Sequence, residues 1–148
     1  LLGANDIPGA KDTVRKLLFF SVSVNLVIGL LIVACSPFIP AIYNTEPTVR
    51  DTATRLLMVS GSFLPLTAYV HSTYFTIRSG GKTFVTFLFD CVFTWVVCLP
   101  IAYCLSTFTG LSVVWVFFFV SSADIIKAVI GTIMLVSGIW AKNVVGTK

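Results

Sequence analysis

Four side chains in this 148-residue sequence lie where polarity is costly: His71, Asp90, Asp124 and Lys127, each inside a long apolar stretch. A charge near the centre of a bilayer costs a few kcal/mol, so each needs a partner, a watery cavity or a role. Asp124 and Lys127 are three residues apart and therefore neighbours on one helix face, and Asp90 can reach them from the preceding stretch. Such a cluster can be a neutralised network pinning two helices together, a proton or cation relay, or a set of groups snorkelling to the interface. His71 belongs to a series, Ser60, Thr67, His71, Tyr74 and Arg78, that recurs at helical spacing and marks one face that should avoid lipid. Imidazole is the side chain that changes charge between about pH 5 and 8, so His71 either serves a proton-coupled cycle or makes an interhelical hydrogen bond. Ser72, Thr73 and Thr76 point away from that face, where hydroxyls can return hydrogen bonds to the helix backbone.

Other chemistries lack their residues. No Ser/His/Asp or Cys/His set with a catalytic arrangement stands out, so the chain does not read as an enzyme. Cys35, Cys91, Cys98 and Cys104 form no C-x-x-C pair, and a single His cannot complete a metal site with them; they read as small packing residues. The segment Arg78-Ser79-Gly80-Gly81-Lys82 lacks both the spacing of a phosphate loop and a preceding strand. It reads as a tight turn in which Gly80 and Gly81 supply positive φ. The net charge of +4 is spread between apolar runs instead of gathered on a face or tail, which argues against nucleic acid as a partner. No cofactor is expected.

The elements that must position these groups follow from composition. With 57% hydrophobic and 11% charged residues and a mean hydropathy of +0.99, the chain cannot build the charged shell of a soluble domain. The expected fold is all-α, a polytopic membrane bundle of four transmembrane helices at about residues 17–43, 56–77, 83–105 and 111–138, called spans A to D. Each is long enough to cross about 30 Å of hydrocarbon at about 1.5 Å per residue. Residues 1–16 are expected to form a loop and 139–148 a tail. Pro37 and Pro40 close span A, while Pro65 and Pro100 favour bends within B and C. Lys11, Arg15, Lys16, Arg78, Lys82, Lys142 and Lys148 fall on one side against Arg50 and Arg55 on the other. The positive-inside rule then puts both ends in the cytoplasm. A cleaved leader over residues 11–35 is the weaker reading of span A, because three further apolar segments follow. Beginning at Leu1, the sequence is expected to be a fragment.

Several motifs then fall into a familiar order. Leu2-Gly3-Ala4-Asn5-Asp6 with Ala10-Lys11, Ser36-Pro37-Phe38, Pro47-Thr48-Val49-Arg50, Pro65, and above all Ile77-Arg78-Ser79-Gly80-Gly81-Lys82-Thr83 resemble the multidrug and toxic compound extrusion (MATE) family of transporters. In that family the last motif reads L-R-A-G-G-D-T. Asp90, Trp95, Leu99-Pro100-Ile101-Ala102-Tyr103, Trp115, Lys127 and Gly138-Ile139-Trp140 continue the resemblance, which covers nearly the whole chain. It implies the last four helices of a twelve-helix, two-lobe antiporter. Such a protein exports organic, often cationic, compounds from the cell across the plasma membrane, in exchange for H+ or Na+. Its partners would be membrane lipid, the remaining helices and small organic substrates, with spans B and D supplying polar cavity residues. Lys82 stands where the family has an acid. Thr67 falls where the NorM-type branch places an acidic cation ligand, so the DinF-type branch is the nearer match. The transport-path or ion-relay candidates are Thr67, His71, Tyr74, Asp90, Asp124 and Lys127, with Arg78, Gly80 and Gly81 as the motif turn. The competing readings are a structural four-helix membrane scaffold and a small homodimeric multidrug exporter; the latter is disfavoured because span A carries no acid, only Asn25.

Overall fold

The computed structural model describes residues 6–81, 83–138 and 140. All regular elements among them are helical: α1 (Ile7–Cys35), α2 (Pro47–Ser79), α3 (Thr83–Phe93), α4 (Leu99–Phe108), α5 (Val113–Ser122) and α6 (Asp124–Val136). Leu2 to Asn5, Lys82, Ile139 and the tail from Ala141 lie outside the described residues.

Helices outrun the apolar runs that announce them. The stretch 1–16, read as a loop, is helical from Ile7 onward, because the Asp6 side chain accepts the Gly9 amide at 3.0 Å and Pro8 sits in the first turn. An exposed Lys16–Asp12 pair at 2.6 Å spans one turn of this polar extension. At its far end α1 stops at Cys35, two residues before Pro37, and a 3₁₀ turn follows at Pro40–Ile42. Arg50 caps that turn by donating to the carbonyls of Pro40 (3.3 Å) and Ala41 (2.7 Å). Helix α2 likewise starts at Pro47, within the polar link, and continues unbroken through Pro65 for 33 residues.

Among the described residues three segments are long and apolar enough to cross a membrane: Ile7–Ile42, Thr86–Phe108 and Val113–Val136. Although α2 is longer than any single helix among these, hydroxyls, Pro65 and His71 interrupt its apolar run. Span C is not a uniform α-helix: a π turn at Thr94–Cys98 joins α3 to α4, with the Leu99 amide reaching back to the Thr94 carbonyl. Pro100 lacks an N–H, and its ring crowds the carbonyl four residues back, which favours a widened turn just before it. Span D is interrupted at Ala123, whose amide is shared between the carbonyls of Phe119 and Val120.

Glycine sets the α1–α2 distance. A Cβ on Gly29 would strike the Gly61 carbonyl oxygen, and one on Gly61 would lie 2.8 Å from the Gly29 carbonyl oxygen. Backbones this close gain dispersion and need no large side chains between them. Ser72 donates to Ser21 at 3.0 Å across the same pair. The α2–α6 contact is held by a 2.7 Å hydrogen bond between Tyr69 and Thr132, and by Gly131 lying against Thr73. At one end Ala10, Ile77 and Trp140 form a buried cluster joined by Val14, Met134 and Leu135. The start of α1, the end of α2 and the segment after α6 therefore share that end. Much of the outer surface, including Phe19, Phe20, Leu30 and Leu31 of α1, is exposed and apolar, suited to lipid or to further helices.

Candidate functional site

Near the Trp140 end, α2 and α3 diverge around a cavity of about 490 Å³. His71, Tyr74, Phe75 and Arg78 line it from α2, and Thr83, Phe84, Thr86, Phe87, Asp90 and Cys91 from α3. The helical register explains the α2 wall. Positions 71, 74 and 78 follow one face, whereas Val70, Thr73 and Ile77 form the buried face against the rest of the bundle. The expected stripe thus divides: His71, Tyr74 and Arg78 border the cavity, while Thr67 is half-buried and returns its hydroxyl to the Phe63 carbonyl at 3.1 Å. Of the three hydroxyls expected to bond back, Thr76 does so, to Ser72, whereas Ser72 bridges to α1. Thr73 is fully buried, and its Oγ1 has no hydrogen-bond partner among the described residues.

Behind the α3 wall lies the ionic group. Lys127 Nζ is 3.3 Å from Asp90 Oδ1 and 3.7 Å from Asp124 Oδ1, so one ammonium serves two carboxylates. The three differ in access. The Lys127 side chain is 10% exposed, Asp124 27% and Asp90 58%, which makes Asp90 the member open to the cavity. Lys127 also sits 5.2 Å from the centroid of the Phe93 ring, a cation–π contact that helps hold a charge out of water. Asp90, Asp124 and Lys127 therefore meet, and the cavity adds His71, Tyr74 and Arg78 beside Asp90. Its wall is drawn from spans B and C, where B and D were expected; the charges of D stand behind it.

Sequence reasoning missed Phe93 and the aromatic lining. Phe93 lies three residues beyond Asp90 and so on the same face, a signal that helical spacing carried. Phe75, Phe84 and Phe87 were indistinguishable from lipid-facing residues in the sequence.

The motif turn differs from expectation in one respect. Gly81 has φ +82, as a tight turn requires, but Gly80 has φ −79. Gly80 is small for another reason: a Cβ there would strike the Trp140 backbone. Trp140 is 2% exposed and donates from Nε1 to the Leu135 carbonyl at 3.0 Å, so the segment after α6 is fastened against the α2–α3 turn.

Chemically the site can hold a cation against Asp90, with aromatic rings for an apolar body and Arg78 setting the opposite charge on the facing α2 wall. Among the described residues no group of His, Cys, Asp and Glu could hold a metal ion. A family model, MatE, matches residues 1–104, which include every residue lining the cavity. No curated protein and no solved structure matches the chain.

Proposed function

The chain belongs to the MatE family, and we propose that it forms part of a secondary active antiporter that exports organic, often cationic, compounds in exchange for H+ or Na+. Members of that family are transporters, not enzymes, and the apolar helices make this a multi-pass membrane protein set in lipid. The observation that carries the finer reading is the cavity: His71, Tyr74, Arg78 and Asp90 line about 490 Å³ between two helices of a chain whose outer surface is largely apolar. A volume in that range suits a small organic molecule.

In this reading the chain supplies the last four helices of the second lobe, nearer the DinF-type branch, with α2 crossing the membrane as span B beside the three apolar segments. The excess of Lys and Arg supports a cytoplasmic Trp140 end, and the exporter reading goes with a plasma membrane. The cavity then opens toward the cytoplasm, the side from which an exported compound is collected. Thr67 cannot replace the acid of a NorM-type cation site, which leaves Asp90 as the carboxylate available to a cation in this segment.

The test is ethidium export from vesicles containing the complete transporter. Asp90→Asn should abolish or strongly reduce export, and His71→Ala should change its pH dependence. Export by both variants that matches the parent on either side of neutrality would refute the assignment of this cavity to the transport path.

A further inference from the structure

We infer that Lys127 is a displaceable counter-ion, an internal cation that occupies Asp90 when the cavity is empty and withdraws to Asp124 when a monovalent cation arrives. This rests on the antiporter reading and adds a role for a side chain that does not itself line the cavity.

The geometry has three parts. First, the triad carries two carboxylates and one ammonium, so it holds one more negative than positive charge in a segment that crosses the membrane. A further positive charge there is favoured by the same cost that makes an unpaired ion rare. Second, the two seats of Lys127 are nearly equivalent, at 3.3 Å and 3.7 Å, so small rotations along a flexible four-carbon stem exchange them. Third, the seats differ in access: Asp90 borders the cavity and Asp124 does not.

A cation reaching Asp90 meets a carboxylate already paired with Lys127. Repulsion between the two positive charges drives the ammonium toward Asp124, its neighbour one turn earlier on the same helix. The link that ties α3 to α6 is then broken and replaced by a pair wholly within α6. Among the described residues the titratable and charged groups around Asp90 are His71, Tyr74 and Arg78 from α2, Lys127 and Asp124 from α6, and Cys91 and Cys98 along its own span. Arg78 is fixed in charge, and among the described residues Lys127 is the cation paired with the carboxylate, so Lys127 is the one that must yield.

Equilibrium binding of radiolabelled tetraphenylphosphonium and of sodium to the complete, purified transporter tests this. Asp124→Asn removes the second seat and leaves the lysine on Asp90; affinity should fall several-fold. The double variant Lys127→Gln/Asp124→Asn removes the competitor while preserving the net charge of the triad, which protects folding, and affinity should rise about ten-fold. Asp90→Asn should bind neither probe. Displacement of the phosphonium by sodium or by acidification identifies which coupling cation shares the seat, and either supports the exchange. Absence of binding in the parent, or affinities unchanged in all variants, overturns it. Ethidium export measured on the same preparations separates the two readings. Opposite shifts in affinity without export would retire the antiporter, whereas export with unmoved affinities would retire the lysine exchange.

Discussion

Removing both carboxylates around Lys127 should cost far more than the sum of removing each. At an effective dielectric of about 20, unit charges at the two observed separations attract by roughly 5 and 4.5 kcal/mol before desolvation is subtracted. Asp90→Asn leaves the ammonium paired with Asp124, and Asp124→Asn leaves it paired with Asp90. Each single change should therefore cost only about 1 kcal/mol, less for Asp90 because solvent in the cavity already screens it. In the double variant a side chain only 10% exposed keeps its charge with no carboxylate beside it, at about 3–5 kcal/mol. Adding Lys127→Met to that double variant should recover most of the loss, since an apolar side chain of similar length then fills the site. The assay is the fraction of the complete protein that remains monodisperse in detergent after graded heating, for the two singles, the double and the triple. Additive single effects, or a triple variant no more stable than the double, would refute the shared-ammonium reasoning. The same cycle addresses a purely structural role for the triad, because a scaffold would show this stability pattern with no change in cation binding.

Two further substitutions probe the frame around the site. Gly61→Leu should force α1 and α2 apart at their crossing, since the first added carbon already lies 2.8 Å from a backbone oxygen. A loss of about 1–3 kcal/mol, read as a lower apparent melting temperature, is expected, and an unchanged one would mean that the helices do not cross there. Gly80→Ala should displace the Trp140 backbone and expose the indole, read as a red-shifted tryptophan emission that a Trp140→Phe background abolishes. An emission spectrum identical to the parent's would remove Trp140 from the α2–α3 turn.

That Asp90, Asp124 and Lys127 meet was legible from the sequence because it follows from counting. With a rise of about 1.5 Å per residue and a slab of known thickness, Asp90, Asp124 and Lys127 had to fall at comparable levels, and the cost of isolating them argued for contact. Helix ends were not legible, because hydropathy marks the slab and not the helix. Polar residues Lys11 to Lys16 and Arg50 to Arg55 continue α1 and α2 well past the apolar runs, on the strength of caps and pairs one turn apart. Gly80 shows the opposite difficulty: the sequence says that a side chain is missing, but not whether φ or a neighbour requires it. Only the position of Trp140, sixty residues on, distinguishes the two.

Rotation about the helix axis was the least legible quantity, and span C shows why. An α-helix advances about 100° per residue, so a π turn, which accommodates one extra residue, turns everything after it by about that angle relative to an unbroken helix. Asp90 precedes the π turn at Thr94–Cys98 and keeps the face set by Thr83, Thr86 and Phe87 on the cavity. Residues from Leu99 onward lie on a face that no count from Asp90 could assign. Pro100 announces that some irregularity must precede it, but a kink, a lost hydrogen bond and an inserted residue are equivalent answers at the level of sequence. The break at Ala123 poses the same ambiguity in span D. There Asp124 opens α6 with Lys127 one turn later, so both charges stand on the same side of the break and stay in register with each other. The ion triad is thus built from residues on one side of each irregularity, which is why simple spacing found its members, as it found His71, Tyr74 and Arg78, but not the aromatic part of the wall.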